Sequence, residues 1–387
     1  MNNTHYQTLE KPLVALVRCT SYDPDELEGA IRRGLDLLGG AQAFFTPGET
    51  LLIKPNVLIG DPPDKHTTSH HAVFSAVGRV FLGAGAKLTY GDSPAFGPPI
   101  ASMLTCGMAG AADALGIPLA DFVHSETVPF PEGQLIKQFP IARGVLAADG
   151  VIDLAKFKTH ALTRLTGAVK NLFGCIPGLV KSEHHATVKD MYQFGRMLFD
   201  LASLVSPRLC ITDAVVGMEG NGPRNGTPRK LGLLIFATNP TANDAVMALL
   251  MNLDPLLVPT LLAAEEHQHG SVQNYTLLGD PLEEFIVKDY KVNRSPGSVR
   301  LNHGIFEKFL YKYTSPRPVI DPEMCTSCGT CVKMCPVEPK ALSFPPRRRG
   351  YPPVYDYDRC IRCYCCQETC PYEAITVKVP FLGHLLR

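Results

Sequence analysis

The 387-residue chain has no surplus of either charge: 37 Lys and Arg stand against 37 Asp and Glu. Proteins dedicated to nucleic acid carry a basic excess that neutralises phosphates, so this balance argues against that class. Also missing is any apolar run near the roughly 18–20 residues that a membrane span needs. The polar opening residues, 1–12, lack the basic, apolar and small-residue order of a secretory signal. The expectation is a cytoplasmic, reducing setting, where disulfides are rare. Tryptophan is absent, which excludes nothing. Hydrophobic residues at 45% and charged residues at 19% describe an ordinary globular chain, long enough for about two or three domains.

What is abundant is cysteine. Of 13 residues, nine fall between Cys325 and Cys370, and only Cys19, Cys106, Cys175 and Cys210 lie earlier. The cluster contains one pattern twice: Cys325-x2-Cys328-x2-Cys331-x3-Cys335-Pro336 and Cys360-x2-Cys363-x2-Cys366-x3-Cys370-Pro371. Three thiolates spaced by two residues can wrap three corners of a cubic cluster, and the fourth corner then needs a thiolate from elsewhere. Zinc favours two separated CxxC pairs, often with histidine, and fits these runs poorly. Disulfides conflict with the expected compartment.

These runs resemble a bacterial-type 2[4Fe–4S] ferredoxin domain over about residues 317–379, including Val319-Ile320-Asp321 before the first run and Ala374–Val377 after the second. In such domains the fourth cysteine of each run serves the other cluster. The resemblance therefore implies one [4Fe–4S] on Cys325, Cys328, Cys331 and Cys370, and another on Cys360, Cys363, Cys366 and Cys335. Cys365 breaks the spacing and is read as a small buried non-ligand. The 24 residues between the runs, 336–359, are longer than the compact pattern and carry Arg347-Arg348-Arg349.

The preceding residues alternate between strand and helix patterns. Leu13–Val17, Leu51–Ile53, Lys87–Tyr90, Val151–Leu154, Leu209–Thr212 and Leu231–Ala237 read as buried strands. Residues 23–38, 70–84, 98–115, 186–204 and 241–252 read as helices, the first carrying Leu27, Ile31, Leu35 and Leu38 at helical spacing. This predicts an α/β body with a mainly parallel, partly mixed sheet, since 118–140 is extended without a helix. The division expected is 1–315 for the body, 316–379 for a small α+β ferredoxin-like domain, and 380–387 for a tail. Residues 291–318 read as the connection.

Open α/β sheets bind ligands at the carboxyl ends of strands. That selects Lys54-Pro55-Asn56, Gly91-Asp92-Ser93, Lys156–His160, Asp213 and Asn239. The segment from 156 to 185 carries Lys156, Lys158, His160, Lys170, Lys181, His184 and His185 interleaved mainly with apolar residues and glycines, with Glu183 its single acid. A solvated basic face is the plain reading. A site for an anionic substrate with proton delivery is the functional one. The loop Gly217–Gly226 permits close backbone approach, but has neither a following GK[ST] nor GxGxxG. Its Glu219, with Asp213, is a candidate acid or metal ligand. His66, His70 and His71 are read first as capping or structural, and Cys175 as a thiol that cationic neighbours could activate.

The body resembles the family of domain of unknown function 362, often fused to a ferredoxin module. The resemblance rests on Lys158-Thr159-His160, Thr166–Gly174, His185, Asp213, Glu219-Gly220-x-Gly222-Pro223 and Asn243-Asp244, and covers about 48–255 and 317–379. It implies an iron–sulfur protein of anaerobic-type metabolism without fixing a reaction. The expectation is an electron-transfer protein acting as a reductase of an anionic small molecule, an iron–sulfur oxidoreductase. Lys158, His160, Lys170, Lys181, His185, Asp213 and Glu219 would form the site, and a redox partner protein would exchange electrons. Electron relay with a non-catalytic docking body, and metal or cofactor maturation, are the alternatives.

Overall fold

The computed structural model describes residues 11–95, 97–178, 181, 184, 188, 190–267, 272–295, 313–346 and 350–382. The body sheet contains β1 (Leu13–Arg18), β2 (Thr50–Pro55), β3 (Lys87–Tyr90), β4 (Gly150–His160), β5 (Leu209–Glu219), β6 (Thr227–Ala237) and β7 (Thr276–Gly279), in spatial order β7-β1-β6-β5-β4-β2-β3. The two-residue strand Arg164–Leu165 folds back onto β4 and completes eight. Strands β3, β2, β4 and β5 are mutually parallel. Strand β6 is antiparallel to β5 and β1, and β7 runs parallel to β1. The sheet is thus mainly parallel, with β6 and the short Arg164–Leu165 strand reversed. The extended segments within 118–140 include a separate hairpin, Ser125–Pro129 with Gln138–Ala142.

Both faces of the sheet are covered, which is why its strands read as apolar runs. Successive side chains point to opposite faces. Leu51 and Ile53 join Leu27, Ile31, Leu35 and Phe74 in one core, while Leu52 joins Phe139, Phe194 and Leu198 in another. Helix α1 (Pro24–Leu37) starts there because Asp23 accepts from the Asp25 and Glu26 amides and Pro24 opens the first turn, which satisfies donors that the helix itself leaves without partners. Each fully buried Leu or Ile of that helix contributes about 1.5–3 kcal/mol, so Ile31→Asp would break the packing of α1.

Several boundaries differ from the sequence reading. Strand β4 continues through His160 and β5 through Glu219, so Lys156–His160, Asp213 and Gly217–Glu219 are strand rather than following loop. Region 98–115 is two short helices, Pro99–Thr105 and Met108–Asp113, separated where Gly107 takes a left-handed φ of 76°. The later helices run Met191–Val205 and Pro240–Leu250, N-capped by Asp190 and Asn239.

The C-terminal region is small. Arg317–Ile320 pairs antiparallel with Ile375–Lys378, and Leu342–Ser343 with Val354–Tyr355. Its two short helices, Thr330–Lys333 and Cys365–Glu368, occupy the same place in the two cysteine runs. The backbone repeats too. Ser327 and Gly329 flank Cys328 with positive φ, as Arg362 and Tyr364 flank Cys363. Each run therefore wraps around its second cysteine in the same way.

Candidate functional site

At the carboxyl ends of β2, β3 and β4 lies a half-open cleft, closed on its far side by the C-terminal region. Lys158, Lys170 and Lys181 line it from the body, and Met334, Cys365, Glu368 and Thr369 line it from the iron–sulfur side. Three of the expected cations thus meet in one place. Pro223 of the glycine-rich loop is also in the wall.

Strand period explains how β4 supplies its polar groups. Lys156, Lys158 and His160 are two residues apart and share a face, while Phe157 packs into the opposite core. Lys158 is fully buried and donates to Asn56 Oδ1 at 2.8 Å and to the Thr67 carbonyl at 2.6 Å. The Asn56 amide donates to Asn171 Oδ1 at 2.8 Å, and the Asn171 amide donates to Asp153 Oδ1 at 2.6 Å. This directional chain fixes the Lys158 ammonium. Burial, then Lys170 and Lys156, depress its pKa to about 7. Asp153, wholly buried, is raised to about 8 by burial.

Lys181 donates to the Ser93 carbonyl at 2.6 Å, to Ser93 Oγ at 2.9 Å and to the Pro94 carbonyl at 2.9 Å. Burial brings its pKa to about 7 as well. Asp92 pairs with Lys54 at 2.9 Å beneath them. Lys170 lies 5.9 Å from the Phe173 ring centre. Among the described residues, no carboxylate lies within 4.0 Å of Lys158, Lys170 or Lys181.

Lys170 and Asn171 are presented by a short helix, Gly167–Asn171, whose first amides are held by Asp244. The Ala168 and Val169 N–H groups donate to it at 2.6 and 3.1 Å. Gly167 has φ 58°, and a Cβ there would sit 2.3 Å from the Asp244 carboxylate. Only glycine meets both demands. Asn243 donates to Asp244 and accepts from Thr212, so Asn243-Asp244 position the helix and do not enter the cleft lining.

His160 reaches the iron–sulfur region itself. Its Nδ1 accepts from the Leu162 and Thr163 amides at 3.0 and 3.2 Å, which places the proton on Nε2, 2.8 Å from Glu368 Oε1. Burial, then Lys170, lower its pKa to about 4, with Glu368 opposing. His160 is therefore a neutral ring in close contact with Glu368 across the boundary between the regions. Gln367 adds donation to the Asn221 and Gly222 carbonyls at 2.9 and 3.3 Å. Lys65 pairs with Glu373 at 3.0 Å.

Other expected site residues lie elsewhere. Asp213 is bound by Lys156 at 2.7 Å, by the Tyr22 hydroxyl at 3.1 Å and by the His70 amide at 3.0 Å, and it does not line the cleft. Glu219 is buried and accepts from the Lys291 amide at 3.1 Å, also outside the lining. His185 lies outside the described residues. His70 caps helix α2 (His71–Gly83) by accepting from the Ala72 amide, and stacks on Tyr22 at 3.8 Å. Cys175 corrects its reading: burial pushes the thiol up to about 12, overriding the lowering by Lys54, so it is not activated.

The cysteine runs fit a cluster. Cys325, Cys328, Cys331 and Cys370 line one cavity with Ile320, Ala374 and Ile375. Cys360 is raised by burial and by the neighbouring Cys363 and Cys335. All described thiols are free of disulfides. No three His, Cys, Asp or Glu side chains converge on a single-ion position among the described residues; a four-iron cube holds its thiolates farther apart than one ion does. Cys365 corresponds in register to Thr330. The Thr330 hydroxyl lies 3.4 Å from Cys328 Sγ, and a hydrogen bond between the Cys365 and Cys363 side chains lowers the Cys363 thiol. Cys365 is buried and lies in the cleft wall. Sequence reasoning missed Met334, Gln367, Glu368 and Thr369. Their signal was position: each falls inside an x3 segment of a cysteine run.

An α/β sheet with a basic cleft, closed by a cysteine-rich domain of ferredoxin type, defines a class of iron–sulfur protein. The chain belongs to the domain of unknown function (DUF362) family, whose match spans residues 51–249, just over half of its length. A 4Fe-4S dicluster domain matches residues 317–374, so the C-terminal region is an iron–sulfur domain. The chain is 37% identical over 253 residues to a thylakoid-associated protein of Synechocystis sp., covering 65% of this chain and 78% of that protein. The lactate racemase apoprotein of Thermoanaerobacterium thermosaccharolyticum overlaps with a TM-score of 0.39 at 13% identity, over 60% of this chain and 55% of that one. Nothing about this chain's chemistry follows from that overlap. No helix among the described residues is long and apolar enough to cross a membrane.

Proposed function

We propose that the protein is a cytoplasmic iron–sulfur reductase that holds an anionic small molecule in the cleft between its body, residues 1–315, and its iron–sulfur domain, residues 316–379. The observation that carries this reading is the shared wall: Lys158, Lys170 and Lys181 face the same space as Cys365, whose chain neighbours include Cys363 and Cys366. Two [4Fe–4S] clusters, on Cys325, Cys328, Cys331 and Cys370 and on Cys360, Cys363, Cys366 and Cys335, supply one-electron chemistry when bound. The lysines bind and orient the anion. Lys158 and Lys181, with pKa values near 7, are able to give protons near neutral pH. His160 holds the iron–sulfur domain against the site through Glu368. Electrons come from a redox partner protein.

The test is anaerobic reoxidation. Protein with full iron content is reduced with dithionite, freed of excess, and mixed with a series of anionic acceptors while the cluster absorbance is followed. An acceptor that reoxidises the native protein should act about tenfold or more slowly on Lys158→Met, because a charge-assisted contact contributes roughly 1.5–3 kcal/mol. Equal rates for both proteins would remove the cleft from the reaction. Reoxidation only by an added electron-transfer protein would favour the relay role.

A further inference from the structure

The charges in the cleft specify more than an anion. Lys158 spends two of its three N–H groups, and Lys181 three, on uncharged oxygens. Lys170 has no hydrogen bond or ion pair among the described residues. Four ammonium N–H groups are therefore left for a ligand: one from Lys158 and three from Lys170. The carboxylates in the lining are Asp92, held by Lys54, and Glu368, held by His160. With all three lysines protonated and Glu368 set against one of them, two positive charges face the space. The remaining wall includes Leu58, Ala95, Phe173, Pro223 and Met334.

We infer that the cleft takes a small molecule with a doubly negative headgroup, a phosphate monoester or a dicarboxylate, on an apolar body. This rests on the anion-binding part of the proposed function and narrows it to a class. Two of the lysines are held near pKa 7 in the free protein. Among the described residues, the charged and titratable groups facing Lys158 include Lys170, Lys156, Asp61, Glu368 and His160, and those facing Lys181 include Asp92, Lys54, Lys170 and Cys175. Of these, Lys156 and Asp61 are already paired with Asp213 and Arg224. A dianion stabilises both ammonium forms, so its binding draws in protons. With two groups about half protonated at pH 7, the uptake is roughly one proton, rising toward two by about pH 8.5.

The experiment is calorimetric titration of the full-length, iron-loaded protein under argon, at pH 7 and at pH 8.5, in two buffers of different ionisation enthalpy. The probes are phenyl phosphate and phthalate as dianions, benzoate as a monoanion and phenol as a neutral control. The expected result is that at least one dianion binds tenfold or more tightly than benzoate, with about one proton taken up at pH 7. Lys170→Ala should weaken that dianion about tenfold or more, and Lys170→Arg should retain most of it. Preference for phosphate over phthalate, or the reverse, identifies the headgroup. Benzoate or phenol binding as tightly as both dianions overturns the class, and so does dianion binding that Lys170→Ala leaves unchanged. Failure of the proposed reductase function looks different: dianion binding would be intact, but reoxidation rates would be unaffected by Lys158→Met.

Discussion

The body and the iron–sulfur region are held together by different means. The body buries long apolar sets on both faces of an eight-stranded sheet. The C-terminal region has one small core: Cys331, Leu342, Cys366, Cys370, Ala374 and Ile375. Half of those residues are assigned cluster ligands, and two of its strands are only two residues long. A body of this kind folds by burial, whereas the smaller region leans on what its cysteines hold. The comparison also separates their polar chemistry. The body supplies fixed, buried cations, and the C-terminal region supplies the thiols and the carboxylate that meet them.

The largest expected effect tests that contrast. Removing iron by chelation under anaerobic conditions should unfold the C-terminal region while the body keeps its cooperative melting transition. Hydrogen exchange would report protection lost in residues 317–378 and retained in β1–β6. Loss of protection in both together would make them one folding unit. At the level of single ligands, Cys363→Ser should lose or impair one cluster by iron analysis. Cys365→Ser or Cys365→Thr should keep both, since Thr330 fills the matching position. An essential Cys365 with a dispensable Cys366 would reverse the assignment.

A smaller effect concerns the contact between the regions. The His160 pKa is about 4 in the folded protein, below its ordinary value of 6.5. The unfolded state thus binds more protons between those values, and stability falls as pH drops from about 6.5 toward 4. The contribution is of order 3 kcal/mol at most. His160→Gln should flatten that part of the melting-temperature profile, and an unchanged profile would show that His160 does not control it. The smallest effect is expected at Lys170: Lys170→Ala should leave iron content unchanged and stability within about 0.5 kcal/mol. A large loss of stability would mean that this lysine serves the fold.

How much of this was legible follows from the residues. The cysteine spacing carried the iron–sulfur domain, because ligand geometry is local. The sheet was legible wherever apolar runs were continuous, as in β1 and β2. It was misjudged where β4 turns polar after Leu154, since Lys156, Lys158 and His160 sit in a strand buried on both faces. Their spacing of two was the available signal. Asp213 looked like a site acid, but which lysine it pairs with depends on Tyr22, His70 and Lys156 converging from distant segments. Glu368 was invisible for a similar reason: its importance comes from His160, more than two hundred residues earlier. Only the docking of one region on the other creates that contact.

The central claim is that one cleft belongs to both regions. The most direct measurement is electron paramagnetic resonance of the dithionite-reduced protein, with and without a saturating dianion that calorimetry has shown to bind. The account predicts a changed cluster spectrum in the native protein and no change in a Lys170→Ala sample where the dianion is unbound. An unchanged native spectrum at full occupancy would contradict it, because the anion would then sit away from the iron–sulfur domain.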